Sequence, residues 1–271
     1  MEKNSKTTRK IGLALGSGGV RGLAHVGVIK SLVRHGIPID LIAGTSIGAL
    51  IGGAYACLQD IDQVEAFWQN ASVQDLFTIL ANPIFSPKLF QGDRAVRFLQ
   101  KKIGRIDIED LTIPFTAVAT DVHSGAIKRI SKGDLFTGVR ASSSLPFLFH
   151  PCRVDGRTCI DGGASEPVPV ETVRAMGADI VIAVNLDSIF FPEEKLTAPP
   201  GKIGRLKALS ATYYLFRYHL ARENVRSADI VIDPKVKPAS WLKFIHSEAI
   251  IKQGEKATDK VIPEIRALSG Q

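Results

Sequence analysis

The sequence predicts an α/β fold in three layers, a mostly parallel central sheet with helices on both faces, and two observations carry that reading. Apolar runs such as Ile11 to Leu15 and Asp40-Leu41-Ile42-Ala43 are short and continuous, the pattern of strands buried on both faces. Each leads through a glycine-bearing turn into a longer apolar stretch of helical character, Leu23 to Leu32 after the first and Ala49 to Ala56 after the second. Strand, helix, strand, helix in succession calls for parallel pairing, with the helices packed over the sheet. Further strands are expected at Phe115 to Thr120, as a short hairpin pair around Asp155-Gly156, and at Asp179 to Leu186 and Asp229 to Ile232.

The first turn reads Gly16-Ser17-Gly18-Gly19-Val20-Arg21-Gly22. Backbone N–H groups at a strand-to-helix junction are free to face an anion. A dinucleotide fingerprint requires glycine at its sixth position, which counting from Gly16 is Arg21, and no Gly-Lys-Ser/Thr follows to make a nucleotide-phosphate loop. The oxyanion of a tetrahedral acyl intermediate is the smaller anion that also accounts for the second turn.

That second turn, Gly44-Thr45-Ser46-Ile47-Gly48, has the form of a nucleophile elbow. The serine takes a strained conformation between strand and helix, and glycines two before and two after it avoid collisions that any Cβ would make. Its hydroxyl is then held out to an ester carbonyl, above the positive end of the following helix dipole. The uncharged run Leu41 to Leu58 has the length of a membrane span, about 18 residues, but the turn in its middle divides it into one buried strand and one buried helix.

A serine hydroxyl needs a base. Histidines stand at positions 25, 35, 123, 150, 219 and 246, none of them in a recognisable triad context. Asp161, in Cys159-Ile160-Asp161-Gly162-Gly163-Ala164, ends a short strand and precedes two glycines that permit close backbone approach. In a dry site a carboxylate beside a hydroxyl accepts its proton as charge develops, and desolvation raises its pKa. Asp155, before Gly156, reads instead as a hairpin-turn residue.

Together these segments resemble the patatin-like phospholipase family. Gly16 to Gly22 is similar to its glycine-rich oxyanion loop, Gly44 to Gly48 to its nucleophile elbow, and Asp161-Gly162-Gly163 to its Asp-Gly-Gly/Ala motif. The stretch Arg140-Ala141-Ser142-Ser143-Ser144 through Pro151 resembles the block that packs beside the active site. Ser17 departs from the plant pattern, standing where the first glycine of a triple occurs, which leaves open which N–H groups donate. The resemblance implies a patatin-like fold and acyl-ester hydrolysis by a dyad. Ser46 attacks, Asp161 takes the proton, and the N–H groups of Gly18 and Gly19 hold the oxyanion. Arg21 either orients a lipid phosphate or pairs with a carboxylate at the helix start.

Domain organisation follows as a basic N-terminal tail over residues 1–9 and one hydrolase domain over 10–271, motif-bearing to about residue 186 and helical from about 201. With 45% hydrophobic and 23% charged residues the chain suits a globular enzyme, and three cysteines without Cys-x-x-Cys spacing argue for reduced thiols in a cytoplasmic protein. No metal or cofactor motif is present in the sequence. The net charge of +7 is uneven, for residues 202–226 carry Lys202, Arg205, Lys207, Arg217, Arg222 and Arg226 against Glu223, interleaved with aromatics. This segment is a candidate for peripheral contact with an anionic membrane surface, beside the plainer reading of a helix with aromatics inward and charges solvated. Nucleic acid is not an expected partner, since no binding motif accompanies the charge, and the oligomeric state is left open. The rival readings are a thioesterase or carboxylesterase with His219 or His246 as base, and a non-enzymatic protein that keeps the fold.

Overall fold

A computed structural model describes residues 9–70, 104–146, 149–188, 205–236 and 247–270. Residues 1–8 of the expected basic tail, Lys202 and His246 lie outside them. The chain runs β1 (Ile11–Leu15), α1 (Leu23–Arg34), β2 (Leu41–Thr45), α2 (Ile47–Leu58), α3 (Ile61–Asn70), β3 (Phe115–Asp121), β4 (Ile127–Ile130) and α4 (Leu135–Ser142). It continues through β5 (Cys152–Val154), β6 (Arg157–Asp161), α5 (Val170–Ala175), β7 (Ile180–Val184), α6 (Arg205–Asn224), β8 (Ile230–Ile232), α7 (Ser247–Asp259) and α8 (Ile262–Ser269).

Among the described residues the sheet order is β5-β6-β3-β2-β1-β7-β8, with β4 on the other edge of β3. Strands β3, β2, β1, β7 and β8 are parallel, while β4, β5 and β6 join antiparallel. The parallel strands are buried on both faces, and their residues divide between two cores. Ile11, Leu13, Leu15, Ile42 and Ile182 face a thick layer that includes α1, α2 and α7. Ala14, Ala43, Val181 and Ala183 face a thinner one under α5 and the end of α6. Small residues on that side let the helices lie close; a Cβ on Gly12 would collide with Val173. On the other side Gly27 of α1 and Gly254 of α7 bring two helix backbones together, since a Cβ on either would strike the partner helix's backbone.

The register on β3 positions the site. Strand β4 occupies one edge of β3 over Ala117 to Thr120, so β2 and β6 share the opposite edge. Strand β2 ends there with Thr45 opposite Val118, and β6 takes over at once with Asp161 opposite Ala119. The residue after Thr45 and the last residue of β6 are thereby neighbours at the carboxyl end of the parallel strands. In open α/β sheets that end is where ligands bind.

Leu41 to Leu58 is β2 plus α2, and among the described residues no helix is long and apolar enough to cross a membrane. The Asp155-Gly156 hairpin is formed with positive φ at both residues, 49° and 75°. Strand β4 was not expected. Of its four residues only Ile130 is buried, so Lys128 and Arg129 mask any apolar signal.

Candidate active site

Ser46 sits at the N-cap of α2 with φ 57° and ψ −121°, a strained backbone for a residue bearing a Cβ. An N-cap serine ordinarily turns its hydroxyl onto the first helical turn. Here no side-chain cap bond forms, and the half-buried Ser46 keeps its Oγ for other work. Both neighbouring glycines are obligatory: a Cβ on Gly44 would collide with the Ala49 backbone, and one on Gly48 with the Leu15 carbonyl. Side chains then lock the turn. Thr45 Oγ1 donates to Glu166 O at 2.8 Å, and Ser46 N–H donates to Ser142 Oγ at 2.8 Å, whose own hydroxyl donates to Val118 O at 2.6 Å.

Asp161 is fully buried. Its N–H donates to Ser144 O at 2.9 Å, and Thr120 Oγ1 donates to its carbonyl at 3.0 Å. Oδ1 accepts the Gly163 N–H at 2.7 Å, whereas Oδ2 is buried with no hydrogen-bond partner among the described residues. Burial pushes the carboxyl above the usual aspartate range, opposed first by the nearby Ser46 hydroxyl and then by the Gly163 N–H. One helix end thus holds both residues, Ser142 at the Ser46 amide and Ser144 at the Asp161 amide. The serine-rich block signalled proximity to the site; nothing in Ser142-Ser143-Ser144 signalled that the Ser142 hydroxyl and the Ser144 carbonyl are the groups that hold it.

In the glycine loop the backbone N–H groups divide into two pairs. The Gly16 and Ser17 N–H groups donate to Val184 O at 3.1 Å and Pro167 O at 2.8 Å. Those of Gly18 and Gly19, at the start of a short 3₁₀ turn over Gly19–Gly22, have no acceptor among the described residues. Gly19 has φ 58°, and a Cβ on Gly18 would collide with Leu186. His25 braces the loop from below: fully buried, its Nε2–H donates to Gly16 O at 2.7 Å, and burial takes its pKa down to about 4. It is a neutral support. His219 is exposed on the outer side of α6.

Arg21 takes the second of its two expected roles. Its guanidinium is buried and bonds Asp187 Oδ1 at 2.6 Å, the Leu186 carbonyl, and Gly18 O at 3.3 Å. Asp187, 1% exposed, is gripped from the other side by Arg217 of α6, through Nε to Oδ2 at 2.9 Å and Nη2 to Oδ1 at 2.8 Å. Within residues 202–226 this corrects the expectation at one position. Arg217 does not belong to a basic outer face; it points inward, because Asp187 supplies the buried counter-charge. Burial draws the Arg217 pKa down, and Asp187 more than offsets that, leaving it raised. Phe216 lies instead at the surface, 68% exposed, with Leu209 at 53%. The plainer reading, aromatics inward and charges solvated, thus fails at Arg217 and Phe216, while Tyr213, Tyr214 and Tyr218 are half-buried and Arg222 and Glu223 exposed.

The same helix brings Tyr213 to the site. A Cβ on Gly163 would lie 2.8 Å from Asp161 Oδ1, 3.1 Å from Arg217 Cδ and 3.1 Å from the Tyr213 hydroxyl. No sequence signal marked Tyr213 or Asp187, since the strand ends that bring them in are distant along the chain.

An uncharacterized NTE family protein of Mycobacterium bovis is 38% identical over 179 residues, 66% of this chain and 49% of that protein. Lysophospholipase NTE1 of Coccidioides immitis is 37% identical over 188 residues, 67% of this chain and 12% of the relative. The chain thus spans about half or less of the length of these curated relatives. Among solved structures, VipD from Legionella pneumophila shares the fold at a TM-score of 0.54 and 13% identity, over 95% of this chain and 67% of that one. A family model described as patatin-like phospholipase matches residues 13–174, more than half of the chain and inclusive of the glycine loop, Ser46 and Asp161. The chain belongs to the patatin-like phospholipase family.

Proposed function

We propose that the protein is a serine acyl hydrolase cleaving fatty-acyl esters of lysophospholipids or related lipids with a Ser46–Asp161 dyad. The observation that carries this reading is the β3 register, which sets a strained, uncapped serine beside a buried carboxylate whose Oδ2 has no hydrogen-bond partner among the described residues. Ser46 Oγ attacks the ester carbonyl carbon as its proton passes to Asp161 Oδ2, and the N–H groups of Gly18 and Gly19 hold the oxyanion. Collapse of the tetrahedral intermediate breaks the bond to the leaving oxygen, which takes the proton from Asp161. Water activated by the same carboxylate then releases the fatty acid from Ser46.

Two features favour a lipid substrate. A cavity of about 30 Å³ between α2, α3 and α4 is lined by apolar groups including Leu50, Ala54, Cys57, Trp68 and Val139. Leu50 stands one helical turn beyond Ser46, so this apolar space opens along the helix that carries the nucleophile. On the outside, α6 exposes Leu209, Phe216 and Arg222, apolar and basic groups suited to peripheral contact with an anionic lipid surface.

The test is hydrolysis of a lysophospholipid by three variants. Ser46→Ala should abolish turnover and Asp161→Asn should lower it by on the order of 100-fold, while His219→Ala keeps most of it. Collapse in the histidine variant with survival of Asp161→Asn would contradict the dyad.

A further inference from the structure

Of two buried polar atoms at the site without a hydrogen-bond partner among the described residues, the dyad uses only one. Asp161 Oδ2 finds its partner in the Ser46 proton, but the Tyr213 hydroxyl has no role in the steps above and no hydrogen-bond partner among the described residues. A buried phenol ordinarily finds one. Its position narrows what the partner is. The hydroxyl and Asp161 Oδ1 both lie about 3 Å from a single point over Gly163, at 3.1 and 2.8 Å. The Tyr213 ring makes an edge contact with Tyr214 at 5.6 Å between ring centroids, and Arg217, one turn on and fixed to Asp187, brings its Cδ to 3.1 Å from the same point.

We propose that Tyr213 is a catalytic residue of the reaction inferred above, donating a hydrogen bond from its hydroxyl to the leaving-group oxygen of the ester as the acyl–oxygen bond breaks. The argument is one of shared reach and rests on that functional reading. Asp161 must return its proton to the leaving oxygen, so that oxygen comes up to the carboxylate. A phenol hydroxyl that reaches the same point over Gly163 as Asp161 Oδ1 then meets the same oxygen. Burial, and after it the charge of Asp161, push the Tyr213 pKa well above its ordinary value, so the group acts only as a donor. Charge balance is simple. Tyr213 keeps its proton throughout; the proton that ends on the alcohol product is the one Asp161 took from Ser46. The hydrogen bond disperses the negative charge that builds on the oxygen before the proton arrives, and its strength grows as the charge does.

The consequence is specific to the leaving group. An alkyl ester such as a lysophospholipid expels a poorly stabilised alkoxide and depends on the donor, whereas a p-nitrophenyl ester of the same acid expels a resonance-stabilised phenolate that depends on it far less. Tyr213→Phe keeps the ring and removes only the hydroxyl. It should lower kcat/KM for the lysophospholipid by at least about 10-fold, and for the p-nitrophenyl ester by less than about 3-fold. Reaction of Ser46 with a fluorophosphonate, which expels fluoride, should survive in the variant and reports an intact nucleophile. Equal losses on both esters, or no loss on the lysophospholipid, would overturn the inference while leaving the dyad standing. A wild-type protein that hydrolyses neither ester and takes no label on Ser46 sinks both.

Discussion

Removing the carboxylate of Asp187 should damage this protein more than removing any surface charge. Asp187 accepts from Arg21 at 2.6 Å and from Arg217 at 2.8 and 2.9 Å, with side-chain exposures of 1%, 7% and 5% for Asp187, Arg21 and Arg217. Asp187→Ala leaves two buried guanidinium groups with no carboxylate between them. Deleting one partner of a buried ionic cluster costs about 3–5 kcal/mol, because the remaining charge is desolvated and uncompensated. At about 2–4 °C per kcal/mol for a chain of this size, the melting midpoint should fall by roughly 6–20 °C. The control is Arg226→Ala, which breaks a 3.0 Å pair with Glu223 whose side chains are 74% and 67% exposed. Screening and side-chain entropy limit that pair to under about 1 kcal/mol. Thermal unfolding followed by circular dichroism separates the two. Activity should fall as well in the Asp187 variant, since Arg21 braces Gly18 O and so the loop that offers the N–H donors. A midpoint for Asp187→Ala no lower than that of Arg226→Ala would refute the assignment of a buried network at this place.

Three further outcomes follow from the same structure. Burial raises the Asp161 pKa in the folded state, so its ionised form costs stability above that pKa and costs nothing below the ordinary aspartate value of about 3.9, where folded and unfolded chains both carry the proton. Asp161→Asn should therefore melt higher than wild type at neutral pH, with the advantage fading on acidification; a variant that melts lower at neutral pH contradicts this. The acid limb of kcat/KM should correspondingly lie above the usual carboxylate range. On the outer face of α6, Phe216→Glu with Arg222→Glu should weaken binding to anionic vesicles and lower activity on lipid while sparing activity on a soluble ester. Equal loss on both substrates would make this face structural.

Much of the site was legible because its constraints are local. A Gly-x-Ser-x-Gly turn between an apolar strand and an apolar helix admits one backbone, and both glycines prove to face backbone atoms at distances no side chain survives. The glycine loop was readable as a strand-to-helix turn for the same reason, although the Ser17 N–H needed the fold to show it donating to Pro167 O. What was hidden is non-local. Asp187 follows β7 and Arg217 lies 30 residues later on a helix, and only the sheet order puts both behind a loop that follows β1. Once that counter-charge exists, burying Arg217 and exposing Phe216 is consistent; read as sequence alone, hydrophobicity sends each the other way. Strand β4 was missed because an edge strand with one buried residue carries almost no apolar pattern.

The central claim is that Ser46 is the nucleophile, and covalent capture tests it most directly. Incubation with an active-site fluorophosphonate, followed by peptide mass spectrometry, should place a single adduct on Ser46 and none in Ser46→Ala. An adduct on another serine, or no adduct on a folded protein that hydrolyses acyl esters, would contradict the account.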